Sequence, residues 1–305
     1  MPRRPTDIAL SRNIASHPIG TGVAENAAPS QQPVYARVFP PGLLVLCPFA
    51  DHDVLCDPAD DKIAATLISG RPYQRRHIDA ALMILEQSGR LAPGGLFLDI
   101  GANIGTTTLY AMRSGRFSGA IAFEPEPHNH AILVRNIALN GLSGEVETIA
   151  AAAGAEAAEA RLNIAARNRG AHSLAPLVRA TGAGRTIDVR VTTADLALAQ
   201  SRAQAVAQSR AQSLVTLVKI DVEGHELAVL EGMTSLLGFG VPLLVEVTCL
   251  PAEQATDRIA ALRARLGSCY RTVVDLERAT PESLPESVAL DRFTASAPQH
   301  DLLIF

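Results

Sequence analysis

Residues 96–109 read LFLDIGANIGTTTL. An apolar run, Leu96 to Ile100, stops at Asp99-Ile100-Gly101-Ala102-Asn103-Ile104-Gly105, and a helix-forming stretch from Thr106 to Arg113 follows. Gly101 and Gly105 let the backbone turn sharply and approach a ligand closely. The helix behind them aims its N-terminus at that ligand. A dinucleotide fingerprint would be GxGxxG, and Asn103 stands where its second glycine belongs, so the form that cradles a pyrophosphate is missing.

The next strand, AIAF (120–123), ends at Glu124 in an acidic turn, EPEP. An acid there can accept hydrogen bonds from both ribose hydroxyls of a nucleoside. A nucleoside without pyrophosphate fits better than a nicotinamide dinucleotide, and S-adenosylmethionine is the obvious candidate. Beyond it lie VETIA (146–150), LVTLVKID (214–221), the helix ELAVLEG stopped by Gly232, PLLVEV (242–247), and a helix over about 252–266. RTVVDL (271–276) and DLLIF (301–305) close the chain. Apolar strands alternating with helices predict an α/β protein with a parallel sheet covered on both faces. The last two strands follow the final helix, which predicts an antiparallel addition at the sheet edge. ARLNIA (160–165) and TIDVRVTT (186–193) predict a separate strand pair.

The flanks read differently. Residues 1–32 lack periodicity and are expected to form a flexible arm. Residues 33–90 form an N-terminal accessory region: strands broken by Pro40, Pro41, Gly42 and Pro48, then two helices parted by Gly70-Arg71-Pro72. The main domain is expected over 91–305. The segment 201–212 contains SRAQ twice and reads as a solvated helix or insertion.

Composition narrows the function. Hydrophobic residues make up 48% and charged residues 19%, enough to build a core and to exclude wholesale disorder. A net charge of −4 and a pI near 6.1 argue against a broad nucleic-acid-binding face. The cysteines at 47, 56, 249 and 269 form no CxxC pair and read as buried free thiols. The start carries no apolar signal segment, and no run approaches a membrane span, so a soluble cytoplasmic protein is expected.

Taken together, FLDIGANIGTTTL, FEPEP with Asn-Ile-Ala-Leu-Asn-Gly after it, TTADL, and KIDVEGHELAVLEG followed by LLVEV resemble the FkbM-type methyltransferases. The resemblance covers roughly residues 75 to 250. It implies a seven-stranded, Rossmann-like class I methyltransferase sheet that uses S-adenosylmethionine. It also implies that Asp99, Gly101, Asn103 and Gly105 hold the methionine part of the cofactor and that Glu124 binds its ribose. Asp221, Glu223, Gly224 and Glu226 match the second signature, beside the transferred methyl, and Asp195 matches a further family acid. Ala153-Gly154 matches a turn near the adenine.

Sheets of this kind bind ligands beyond the C-terminal ends of their strands. Asp221, Glu223, His225 and Glu246 are placed there. Asp221 also counts among the cofactor-binding residues, and Asp221, Glu223 and His225 are the catalytic candidates. In extended chain those three would share one side, but no metal is assigned, because no second ligand cluster accompanies them. His225 titrates near neutral and suits a general base. Glu226 reads as an acid favoured by the helix dipole. His172 and Ser173 lie in the Gly-interrupted loop after Asn163, which the resemblance implies is a polar loop near the cofactor or acceptor and which equally reads as an exposed loop, and His128 and His130 receive no role. Residues 73–77 either cover the site mouth or form a solvated face. The expected substrate is a small-molecule or carbohydrate hydroxyl, methylated on oxygen. A nucleotide-linked oxidoreductase and a non-catalytic S-adenosylmethionine-binding protein are the alternatives, and oligomeric state is left open.

Overall fold

The computed structural model describes residues 39–40, 42–165, 168–174, 185–201, 215–247, 252–277, 280–284 and 300–305. The expected flexible arm and all of the SRAQ segment except Ser201 lie outside them. Two short strands, β1 (Val45–Pro48) and β2 (Asp53–Cys56), pair antiparallel and are followed by α1 (Ile63–Ile68) and α2 (Arg75–Gln87). The core alternation is β3 (Gly95–Ile100), α3 (Thr106–Arg113), β4 (Phe117–Phe123), α4 (Pro127–Leu139) and β5 (Val146–Ile149). A three-stranded sheet follows, made of β6 (Ala152–Ala153), β7 (Ala158–Ile164) and β8 (Arg185–Thr192) in the order β6-β8-β7. Then come α5 (Ala194–Gln200), β9 (Val215–Ile220), α6 (Glu226–Glu231), α7 (Thr234–Gly238), β10 (Leu243–Val247) and α8 (Ala252–Gly267). The chain closes with β11 (Thr272–Asp275), β12 (Thr280–Ser283) and β13 (His300–Ile304).

The main sheet has eight strands in the order β12-β11-β13-β10-β9-β3-β4-β5, one more than the expected seven. Every residue of β3, β9 and β10 is buried. The strand period explains why. Leu96, Leu98 and Ile100 pack on one face with Val218, Ile220 and the helices α5 to α8. Phe97 and Leu217 pack on the other with α1 to α4 and the β1–β2 hairpin.

The C-terminal strands add at one end of the sheet as expected, with β13 antiparallel to both of its neighbours, β10 and β11. Its Leu302, Leu303 and Ile304 are fully buried, so it needs a strand on both sides and a helical layer on both faces. The edge falls to β12, with sequence TPES. It is short, and Pro281 cannot donate to a further strand.

The asparagines of the Asn-Ile-Ala-Leu-Asn stretch have a structural task. Asn136 accepts from the Leu55 N–H (2.7 Å) and donates to the Leu55 carbonyl (3.0 Å). Asn140 does the same at Asp53, at 3.0 and 2.7 Å. Two carboxamides on α4 thereby satisfy the free edge of the β1–β2 hairpin as a neighbouring strand would. Cys47 and Cys56 are buried free thiols in that hairpin with sulfurs 3.7 Å apart; Cys269 is a half-buried free thiol, and Cys249 lies outside the described residues.

Candidate cofactor and acceptor site

The chain leaves β3 in two directions across the sheet, to β4 and β5 on one side and to β9 and β10 on the other. This is the switch point of an open parallel sheet, and a crevice opens beyond the strands' C-terminal ends. A cavity opens there, lined by the turns after β3, β4 and β9 and by Glu246 near the end of β10.

The glycine turn closes against the turn after β9. Gly101 has φ +86°, and a Cβ there would stand 1.8 Å from the Asp221 carbonyl oxygen. Gly101 and Ala102 donate to the Phe123 carbonyl, and Asp221 donates to the Ile100 carbonyl. Asn103 adopts φ 53° and lines the cavity. Its backbone N–H donates to Glu124 Oε2 (2.9 Å), its Oδ1 accepts from Ile104, and its Nδ2 donates to the Arg169 carbonyl. This side chain stands at the position of the second glycine in a dinucleotide fingerprint. Asp99 does not line the cavity. It is fully buried behind the turn, where it accepts from the Thr108 hydroxyl at 2.6 Å.

Glu124 is 5% exposed, and the Glu126 N–H donates to its second oxygen at 2.8 Å. Burial pushes its carboxyl up to about 8, against the pull of these two backbone donors. The EPEP turn is a helix start. Glu126 caps α4 by accepting from the Asn129 N–H, and Pro127 occupies the first turn, where its missing donor costs nothing.

At the other end, Asp221, Glu223 and Glu246 converge with carboxylate oxygens within 4.8 Å of one another. This differs from the expected alternation of Asp221, Glu223 and His225. Glu223 (φ 49°) and Gly224 (φ 103°) are both left-handed, so the segment is a tight turn, and His225 is carried out of the carboxylate group while still lining the cavity. Lys219 Nζ lies 3.0 Å from Asp221 Oδ2. Burial works against the lysine's charge, but Asp221, Asp99 and Glu246 outweigh it and hold the ammonium firmly protonated. His225 is pushed down by burial and by Arg258, so it is neutral at pH 7.

Glu246 is 4% exposed and is pushed up to about 9 by burial, then by Asp221 and Asp301. Gln74 reaches across from the start of α2 to donate to its Oε2 at 2.9 Å. Sequence reasoning missed Gln74. It adopts φ 56° at the α2 N-cap position without capping that helix. Gln74, Asn103 and Glu223 are the non-glycine residues with positive φ among the described residues, and all three line this cavity. Strain gathered in one place marks a working site.

The raised carboxyl of Glu246 has a consequence for stability. An unfolded Glu ionises near 4.5, while the folded one ionises only near 9. Between these values the unfolded state binds fewer protons, so this group lowers stability progressively as pH rises from about 4.5 to about 9. Glu246→Gln removes that contribution. Its melting temperature, followed from pH 5 to 9, should fall less steeply than that of the wild type. Parallel curves would show that Glu246 ionises normally in the folded protein.

Other predicted residues have structural duties. Asp195 accepts from Ser235 (2.8 Å) and Leu236 and so caps α7. Glu226 is fully buried, accepts from the Gly224 N–H, and pairs with Arg258 of α8, which is more than a favourable position in a helix dipole. Gly154 packs under α6, where its carbonyl would collide with any side chain at Gly232; Ala152 and Ala153 line the cavity. Tyr73 also lines it, whereas Arg75 pairs with Asp51 and His77 with Asp301, clamping α2 to its neighbours. His128 pairs with Asp57 at 2.9 Å. No helix among the described residues is long and apolar enough to cross a membrane.

Comparison with known proteins matches this arrangement to a family. The methyltransferase FkbM domain matches residues 99–271, which begins at Asp99 and takes in both signature turns. Among solved structures, a methyltransferase FkbM from Methylobacillus flagellatus is 15% identical, with a TM-score of 0.41, over 81% of this chain and 61% of that one. An O-methyltransferase from Bacillus cereus, solved in complex with SAH, is 12% identical, with a TM-score of 0.39, over 82% and 90% of the two chains. The C-terminal domain of precorrin-6Y C5,15-methyltransferase from Rhodobacter capsulatus is 15% identical, with a TM-score of 0.36, over 74% and 86%. No curated protein matches the chain. The chain spans less than two thirds of the Methylobacillus protein's length. With its match covering more than half of the sequence, the chain belongs to the FkbM methyltransferase family.

Proposed function

We propose that the protein is an S-adenosylmethionine-dependent methyltransferase that methylates a hydroxyl of a sugar, glycan or other small metabolite. The observation that carries this reading is the placement of Glu124. It is a buried acid at the end of β4, beside the switch point, at one end of a cavity whose other end holds Asp221, Glu223 and Glu246. The donor set fits a nucleoside. Glu124 is a hydrogen-bond acceptor suited to paired hydroxyls, and two buried polar atoms on the same cavity, Asn129 Oδ1 and His172 Nε2, have no hydrogen-bond partner among the described residues. Asn103 at the position of the second fingerprint glycine disfavours a nicotinamide dinucleotide.

S-Adenosylmethionine supplies a methyl group already activated on a sulfonium. The residues of this chain then have two tasks. One is alignment, which can account for roughly 7–11 kcal/mol of barrier lowering. Gly101 and Asn103 set the loop under the methionine end, and Glu124 orients the ribose. The other is handling the acceptor's proton. Asp221 and Glu223 offer carboxylate oxygens to an incoming hydroxyl. Lys219 pairs with Asp221. His225, kept neutral by burial, has a ring nitrogen able to take the proton, a role worth roughly 10²–10⁴-fold.

Calorimetric titration of the purified chain with S-adenosylmethionine and S-adenosylhomocysteine tests the reading, together with transfer of labelled methyl to a panel of hydroxyl-bearing compounds. Binding near the micromolar range, about −8 kcal/mol, with label on oxygen is expected. Absence of binding by folded protein would reject the reading, and label on nitrogen would reject its hydroxyl part.

A further inference from the structure

Residues 168–173 cross the cavity as a strap between the three-stranded sheet and the main site. Its first end is held at Arg169. Two carboxamides, Asn103 Nδ2 (3.0 Å) and the fully buried Asn129 Nδ2 (3.1 Å), both donate to the Arg169 carbonyl. The Arg169 guanidinium pairs with Asp57 at 2.9 Å. Its other end is held at Ser173, whose hydroxyl donates to the Glu223 carbonyl at 2.5 Å and whose backbone pairs with Asn163. Arg169, Gly170 and His172 line the cavity between these anchors.

His172 has a defined tautomer. Its Nδ1 accepts from the Ala165 N–H at 3.0 Å. Nδ1 is therefore unprotonated, and a neutral ring must carry its hydrogen on Nε2. That Nε2 is buried and has no hydrogen-bond partner among the described residues. Leaving a donor so placed is costly, and native proteins do it rarely outside working sites. Burial also pushes the imidazole down to about 4, so the ring is neutral through the physiological range. The charges it feels are Glu126 and Arg169. Glu126 is bonded through its own N–H to Glu124, and Arg169 is bonded to Asn103, which also bonds Glu124. His172 thus lies on the strap between Arg169, tied through Asn103 to Glu124, and Ser173, tied to the Glu223 carbonyl.

We infer that His172 is a cofactor-binding residue whose Nε2–H donates to an oxygen of the nucleoside half of the bound cofactor. This rests on the S-adenosylmethionine reading above. The chemistry is complementary. A hydroxyl that donates to Glu124 still has lone pairs, and a neutral N–H satisfies one of them without bringing a charge beside the buried acid. The same tautomer excludes His172 from acting as a base, because its only unprotonated nitrogen is already bonded to the backbone.

The test is calorimetric binding of S-adenosylhomocysteine by the full chain, with no acceptor present, in the wild type and in His172→Ala, His172→Gln and His172→Asn. Glutamine places an N–H donor near the Nε2 position, and asparagine reaches only the Nδ1 position. Expected are losses of about 10-fold or more for Ala and Asn, a loss within about 3-fold for Gln, and no fall in wild-type affinity as pH rises from 6 to 7. Thermal melts establish that each variant is folded; if the Ala variant is not, the Gln and Asn pair decides. Native affinity in the Asn variant with loss in the Gln variant would overturn the assignment and leave His172 as an anchor of the Ala165 turn. So would native affinity in a folded Ala variant. Affinity that falls as pH rises through 6 to 7 would overturn the neutral-donor role. Failure of the wild type itself to bind would overturn the cofactor reading and this assignment with it.

Discussion

Glu124→Ala should abolish measurable binding of S-adenosylhomocysteine while leaving a folded protein. The expected loss is 100-fold or more. Ribose hydroxyls would lose the acid that accepts from them, and the Asn103 and Glu126 N–H groups would lose their acceptor as well. An unsatisfied buried donor costs about 1–3 kcal/mol, so the loop that carries Asn103 would also be less well held. Glu124→Gln separates the two effects. Its amide oxygen still accepts from one backbone N–H, so the turn should stand, but its NH₂ cannot accept from a hydroxyl. Calorimetry on both variants, read beside their melting curves, checks this. Full affinity in a folded Glu124→Ala protein would show that the cofactor lies elsewhere or is not a nucleoside.

Gly101→Ala should be among the most damaging single-methyl additions in the chain. The new Cβ would sit 1.8 Å from the Asp221 carbonyl oxygen, a backbone atom that cannot swing aside, at a φ of +86° that disfavours any side chain. Strain of about 1–3 kcal/mol from the backbone adds to about 1–3 kcal/mol from forcing two loops apart. Gly115→Ala is the control, because Gly115 is left-handed at φ +72° but has nothing within 4 Å of its Cβ position. It should cost only about 1 kcal/mol. Denaturant unfolding of the two variants measures the difference. Equal losses would mean that the turns after β3 and β9 are not packed as described. The Gly101 variant should also lose cofactor affinity, since parting those turns displaces Asn103 and Asp221 together.

Much of the sheet was legible because its signal is local. LFLDI, LVTLVKI and LLVEV are unbroken apolar runs, and such runs arise where a strand is covered on both faces. The turn Asp99 to Gly105 and the acid at Glu124 were legible for the same reason, since a strand end, a glycine and a helix start lie within a few residues. The second half of the site was harder. The alternation of Asp221, Glu223 and His225 suggested extended chain, but left-handed backbone at Glu223 and Gly224 turned His225 away. Glu246, which the sequence places at the same strand ends, took the place of His225 in the carboxylate group. Asp195 and Glu226, which match family positions, cap and clamp helices.

By itself, then, the sequence determined the alternating α/β class, the family, and the side of the sheet where the cavity opens. The class and the cavity side follow from short-range rules, namely strand period, glycine turns and helix starts, and the family from the resemblance of its motifs. Only the tertiary structure decided what surrounds that side. Gln74 reaches Glu246 across 172 residues of chain, and Asn103 and Asn129 hold the Arg169 carbonyl across 66 and 40. β13 enters between β10 and β11 because its apolar residues need cover on every side. Such pairings are chosen by burial and by the need to satisfy each polar group that burial encloses. Those constraints act between parts of the chain brought together only by folding, and they leave no spacing or period along the sequence.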